Sequence, residues 1–288
     1  MTVAAKDASN YDGAPIMLYD FYRHSVPTLT GIPVETHWRY TSADTDFELD
    51  ADTYTATTIA DDGIRQSGSS ISDQLTITMP YTLKVPQMFV GSPPSDPIYC
   101  VIRHANEGET DAFIAWAGIV GMVTRTASQD DNASILASAV CNTVSATMDR
   151  TGLRLAWARS CPHDLYGFEC RADPTLFYVT AVIAAMDGVN VTATALATPP
   201  SGGTFLGGFI EWIDEDGHAE RLGVIGSAGG TIKLLGTTDR LTIGQTIYAF
   251  LGCDRLRTTC AAVFNNADNH GGHAYMPDTN PFSGDLIF

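Results

Sequence analysis

The chain has 288 residues, with 33 Asp and Glu against 16 Lys and Arg, for a formal net charge of −17. That balance argues against a direct grip on nucleic acid, because affinity for the phosphate backbone comes mainly from Lys and Arg displacing counterions. Charged residues make up 17% of the chain, against roughly 25% in an average soluble protein. Thr, Ser, Ala and Gly fill the deficit, which suits a β-rich protein with many turns. The length suffices for two domains, each with its own core.

Residues 11–22 are a mixed apolar stretch that reads as a strand or a short helix. "HWRYTSADTDFELDADTYTATTI", 37–59, alternates apolar and polar residues around Asp-rich turns, a strand, turn, strand pattern. In "IRQSGSSISDQLTITMP", 64–80, Leu75, Ile77 and Met79 alternate before Pro80 closes the run. "PIYCVIRHA", 97–105, and "AFIAWAGIVGMVTRTA", 112–127, are two further strands, and the reversal at 128–132 returns "ASILASAVCNTVSATM", 133–148, against the latter. Further on, "LFYVTAVIAAMDGVNVTATAL", 176–196, reads as a hairpin around Asp187 and Gly188. "FIEWIDEDGHAERLGVI", 209–225, has a second Asp-Gly turn. "GTIKLLG" and "QTIYAFLG" complete a compact set of short strands, and no strong amphipathic helix or fixed-period repeat is present. The fold class expected is mostly β, with domains at 1–160 and 161–288. The second is a small β-barrel or sandwich-like module ending in a loop-rich tail.

The N-terminal residues carry no basic segment followed by an apolar run, so no secretory signal is expected. The best apolar run, "LFYVTAVIAAM" at 176–186, is about half of the ~20 residues needed to cross a bilayer. A soluble product made in the cytosol is therefore expected, where thiols stay reduced and structural disulfides are disfavoured.

Cysteines punctuate this plan. "CPHDLYGFEC", 161–170, and "CDRLRTTC", 253–260, flank the second β module, so folding the module would bring both pairs to its base. Arg150, Arg154, Arg159, Arg171, Arg255 and Arg257 lie in or beside the two segments. Guanidinium groups there would stabilise the net charge near −2 that four thiolates around a metal leave, and would lower the thiol pKa values. Cys100 and Cys141 sit in alternating apolar runs and read as small buried hydrophobes. For Cys161, Cys170, Cys253 and Cys260, the compartment speaks against disulfides. Zinc commonly takes tighter spacings, and an iron–sulfur cubane tolerates wider loops, so spacing leaves zinc and iron–sulfur open.

His163, His270 and His273 lie near these cysteines, and "HGGHAY" with Asp268 raises a hydrolase reading. No H-E-x-x-H or G-x-S-x-G pattern accompanies them, and packing roles around the cysteine site are expected instead.

"CPHDLYGFEC", "GCDRLRTTCAAVFNNADNHGGHAYMPDTNPF" at 252–282 and "IRQSGSSISDQLTITMP" together resemble the phage BR0599-like tail proteins, related to the DUF2163 proteins of tailed phages and gene transfer agents. The resemblance runs over about residues 15 to 282, and its specific motifs are C-terminal: Phe264, Asn266, Asn269, Gly271, Gly272, Pro277, Asn280, Pro281 and Phe282 stand at family positions. His270 and His273 depart from it, standing where aromatics are common. The resemblance implies a non-enzymatic baseplate hub component of a phage tail tip, assembled in the bacterial host cytoplasm and carried in the virion. It implies a homotrimer between the distal tail ring and the central spike or receptor-binding complex, with an acidic lumen that DNA passes without specific binding and no stable membrane insertion. It also implies that Cys161, Cys170, Cys253 and Cys260 hold a [4Fe–4S] cluster, with Zn2+ the alternative metal. The rival functions are a tail-associated cell-wall hydrolase and a zinc-stabilised module that binds the host surface.

Overall fold

The computed structural model describes residues 15–65, 73–106, 111–126, 135–144 and 157–277. The chain divides into two compact units. Met1–Pro27, Ile32–Arg150 and Glu215–His218 form the first; Thr28–Gly31, Thr151–Asp214 and Ala219–Phe288 form the second. Neither short exchange, Thr28–Gly31 or Glu215–His218, is visible in the sequence pattern, since both are loops whose partners are remote in the chain.

The first unit is built on strands β1 (Pro15–Ser25), β2 (Val34–Thr41), β3 (Phe47–Leu49), β4 (Asp52–Ala56), β5 (Ala60–Asp61), β6 (Leu75–Pro80), β7 (Ile98–Asn106), β8 (Ala112–Thr126) and β9 (Leu136–Thr143). They form one sheet in the order β3-β4-β2-β1-β7-β8-β9-β6-β5, antiparallel except where β2 meets β4. The ambiguous opening stretch is strand from Pro15 onward. What decides it is pairing with β2 on one side and β7 on the other, which supplies backbone partners that no local pattern contains.

The alternation in β6 is real. Leu75, Ile77 and Met79 are buried while Thr76, Thr78 and Pro80 are partly exposed, the period-two pattern of a strand with one face on a core. Register shifts in the β7–β8 and β8–β9 ladders mark β-bulges, which bend a sheet locally. The turn expected at 128–132 lies outside the described residues, but β8 and β9 pair antiparallel as its two arms. A four-residue helix, α1 (Lys84–Gln87), follows β6. Cys100 and Cys141 are fully buried in the unit's main core. Burial, reinforced by a hydrogen bond with Cys141, pushes the Cys100 thiol well up, so both act as small apolar side chains.

The second unit contains β10 (Tyr178–Val182), β11 (Ala185–Asp187), β12 (Asn190–Thr192), β13 (Phe209–Ile213), β14 (Ala219–Ala228), β15 (Thr231–Leu234) and β16 (Thr246–Phe250). Their order is β10-β16-β13-β14-β15-β12-β11. The two ends of that list are consecutive in the chain. Between them the Ile183 N–H donates to the Gln245 carbonyl, and the Ala184 N–H donates to the Thr192 carbonyl. The strand 178–187 therefore hands over from β16 to β12, and the sheet closes into a small barrel with no free edge there.

This corrects the expected single hairpin over 176–196. Only β11 and β12 form it, around Gly188 at φ 59°, whereas β10 pairs with β16. The 209–225 hairpin forms as expected, with Gly217 at φ 86° in its turn. β14 also serves two neighbours, changing register at a bulge between Val224 and Gly226 before it meets β15.

Phe205, Ile210, Ile232, Ile247, Ala249 and Leu251 are fully buried inside the barrel. The carboxylate of Glu211, only 1% exposed, accepts the Thr28 N–H at 3.0 Å, the Thr28 hydroxyl, and Arg221 Nε at 2.8 Å. A buried charge needs such partners.

Candidate metal centre

Two loops meet at one end of the barrel. The first leaves Cys161, turns at Asp164–Gly167, where the Gly167 N–H donates to the Asp164 carbonyl at 3.0 Å, and reaches Cys170. Tyr166, at φ 63°, anchors it: its hydroxyl donates to the Leu251 carbonyl at 2.9 Å, and its ring edges against Phe209, Phe250 and Phe264. Burial raises the Tyr166 pKa, as do the nearby Cys170 and Cys253.

The second loop leaves β16 through Gly252 and Cys253 and enters helix α2 (Arg257–Ala262), which carries Cys260. Asp254 braces this turn. One carboxylate oxygen accepts the Leu256 N–H at 2.9 Å and the other accepts the Thr259 hydroxyl at 2.7 Å. The six-residue gap between these cysteines thus spans a braced turn and the first turn of a helix. α2 is not legible in the sequence because a helix this short carries too little periodicity to register. A Cβ on Gly252 would lie 1.9 Å from the Leu206 carbonyl oxygen, so only glycine lets the strand pass there.

The loops are tied to each other. The Cys161 N–H donates to the Arg255 carbonyl at 2.9 Å. Cys161, Cys170, Cys253 and Cys260 all line one cavity, together with His163, Asn266 and Asn269. Its volume is about 60 Å³, several times the roughly 10–15 Å³ that one water requires. Four of the six non-glycine residues at positive φ among the described residues, Tyr166, Arg171, Arg255 and Asn265, sit in or directly after these segments. Strained backbone of this kind persists where the surroundings over-determine it, and it clusters at functional sites.

Burial pushes the Cys260 thiol up to about 11, and the neighbouring Cys253, Cys170 and Cys161 add to the shift. Cys253 is raised by burial first; its Sγ accepts the Arg255 backbone N–H at 3.3 Å, which opposes the rise, while Asp254, Cys170 and Cys161 add to it. This corrects the expected role of the arginines. Arg255 acts on Cys253 through its backbone amide, Arg159 Nε donates to the Met276 carbonyl at 2.6 Å, and the Arg171 guanidinium lies over the Phe168 ring. Arg150 and Arg154 lie outside the described residues.

The histidines pack the loops. His163 Nδ1 donates to the Asn269 carbonyl at 3.0 Å, with Nε2 3.6 Å from Glu169. His270 Nε2 donates to the Arg255 carbonyl at 3.2 Å, and its Nδ1 accepts the Gly272 N–H. His273 stacks on Trp157 with ring centroids 4.4 Å apart. A Cβ on Gly271 would lie 2.3 Å from His163 Nε2, which explains the glycine between the histidines. Asn280, Pro281 and Phe282 lie outside the described residues.

Among the described residues, no group of three or more His, Cys, Asp or Glu side chains is arranged to hold a metal ion. The four thiols that line the cavity are a donor type common to zinc and iron–sulfur centres.

The structure thus defines a two-unit β protein whose barrel carries a cysteine-lined cavity between two constrained loops. Residues 203–280 match the family described as phage conserved hypothetical protein BR0599. The match takes in Cys253 and Cys260 but neither Cys161 nor Cys170, and it is narrower than the span of resemblance read from the sequence. A chain in the structure titled "Virion of native gene transfer agent (GTA) particle" shares the fold, with a TM-score of 0.73 and 15% identity over 99% of this chain and 97% of that one. No curated protein matches the chain in sequence. No helix among the described residues is long and apolar enough to cross a membrane.

Proposed function

We propose that the chain is a structural protein of a phage virion, a homotrimeric tail-tip hub component that joins the tail tube and its distal ring to the central spike or receptor-binding complex. The observation that carries this reading is the whole-length fold shared with a chain of a gene transfer agent virion, supported by the BR0599 match. In this reading the protein transforms no substrate, and its net charge of −17 suits a lumen that DNA passes without adhering.

Within it, Cys161, Cys170, Cys253 and Cys260 hold a [4Fe–4S] cluster, which supplies four metal–thiolate bonds between two distant chain segments. The chain's own residues prepare the site. Tyr166 fixes the first loop to the barrel, Asp254 braces the second, and the hydrogen bond from Cys161 to Arg255 sets their spacing. A structural metal site contributes on the order of 10 kcal/mol to the folding of small modules, so the 253–277 segment depends on it most.

Anaerobic purification with iron, sulfide and zinc analysis tests the centre, and mass spectrometry of purified virions with imaging of gene-deleted particles tests the role. About four iron and four sulfide per chain and tails lacking a tip are the expected results. Stoichiometric zinc would overturn the cluster, and absence from virions would overturn the structural role. Cell-wall cleavage that disappears in His270→Ala/His273→Ala while particles still assemble would establish the hydrolase instead.

A further inference from the structure

Asn266, like Arg255, touches both cysteine pairs. Asn266 follows α2, and its side-chain amide Nδ2 donates to the Cys170 carbonyl and lies 3.7 Å from Cys170 Sγ. Its backbone carbonyl accepts the Cys260 thiol at 3.1 Å, and its backbone N–H donates to the Cys260 carbonyl at 3.0 Å. Asn266 therefore spans from the second cysteine of one loop to the second cysteine of the other.

The orientation of its amide is itself held. Asn269 Nδ2 donates to Asn266 Oδ1, which leaves Asn266 Nδ2 as the atom facing Cys170. Asn269 in turn is tied to the first loop, because its carbonyl accepts from His163 Nδ1. The chain His163, Asn269, Asn266, Cys170 is a closed hydrogen-bonded bracket around the cavity that the thiols line.

We infer that Asn266 is the positioning residue of the cysteine centre: its amide N–H donates to Cys170 Sγ while its backbone holds Cys260, and Asn269 keeps that amide facing the sulfur. The inference rests on the reading of the four cysteines as a ligand set. A donor to a ligating sulfur stabilises the more electron-rich state of a centre and orients the ligand, which is how outer partners tune affinity and potential. Cys253 has the matching donor in the backbone N–H of Arg255, so each loop presents one sulfur with a fixed N–H partner. The backbone donor at Cys253 cannot be removed by a side-chain change, which makes Asn266 the adjustable one.

The test uses the full chain purified anaerobically. Asn266→Asp keeps the shape and the acceptor for Asn269 but replaces the donor with an oxygen. It is expected to release iron to a chelator on the order of 10- to 100-fold faster than the wild type and to shift the midpoint potential to more negative values, with an unchanged far-UV spectrum. Asn269→Ala, which touches no thiol, is expected to change both in the same direction by less, and it serves if Asn266→Asp does not fold. Wild-type retention and potential in the variants would overturn the inference. If the wild-type chain contains no iron, the cluster reading fails separately. The inference is then read on the metal-free protein by alkylation with iodoacetamide: Cys170 should react more slowly relative to Cys161 in Asn266→Asp, and an unchanged ratio would overturn it.

Discussion

Six cysteines divide between the two units, and the division shows how fold assigns chemistry to one residue type. In the first unit, Cys100 and Cys141 project from regular strands into a closed core at 0% exposure. Burial pushes the Cys100 thiol well up, and both side chains count as packing volume. In the second unit, Cys161, Cys170 and Cys253 stand on loops at the barrel's end and Cys260 on the short helix α2, beside backbone at positive φ and around one cavity. The strand interiors bury two thiols against each other in a closed core. Two constrained loops that meet bring several thiols to one place, at the cost of strain and mutual repulsion, which the proposed metal centre would offset.

The largest effect that would break this contrast comes from the double substitution Cys161→Ser/Cys253→Ser. Limited proteolysis should cut the 253–277 segment of the variant rapidly while strands of the first unit stay protected, whereas Cys100→Ala/Cys141→Ala should leave the metal content unchanged. Equal protection of both units in the Ser variant would mean the centre does not hold the tail segment.

Next in size is Gly252→Ala. Its Cβ would meet the Leu206 carbonyl oxygen at 1.9 Å, and the contact is backbone on backbone, so the barrel must shift at a cost of about 3 kcal/mol. A lowered denaturation midpoint for the second unit is the measurement, with no change in the first.

A pH series sharpens the comparison without mutation. In the metal-free chain the folded state keeps the Cys260 proton to about 11, against an ordinary thiol value of 9.0. Between those values the unfolded chain sheds a proton that the folded chain retains, so stability is full below pH 9 and falls as pH rises toward 11. About 1 to 2 kcal/mol should be lost. Chemical denaturation at each pH checks the slope, which should vanish once metal has displaced the thiol protons. The smallest effect is that of Tyr166→Phe. It removes the hydrogen bond to the Leu251 carbonyl but keeps the ring among Phe209, Phe250 and Phe264, for about 1 kcal/mol by thermal melting.

The amino-acid sequence by itself determined what depends on neighbours in the chain. Alternation at Leu75, Ile77 and Met79 specifies a one-sided strand, and glycines 188 and 217 specify turns because positive φ is cheap only there. Burial of Cys100 and Cys141 also followed from period two. Tertiary structure alone decided that β10 and β11 are one strand shared between β16 and β12, since a strand's partners are set by remote backbone donors. It also decided that Arg255 acts through its amide rather than its guanidinium, and that Asn266 bridges the cysteine pairs. The Asn266–Cys170 contact joins residues 96 positions apart, and composition and spacing carry no information about which atoms meet once two loops have closed on each other.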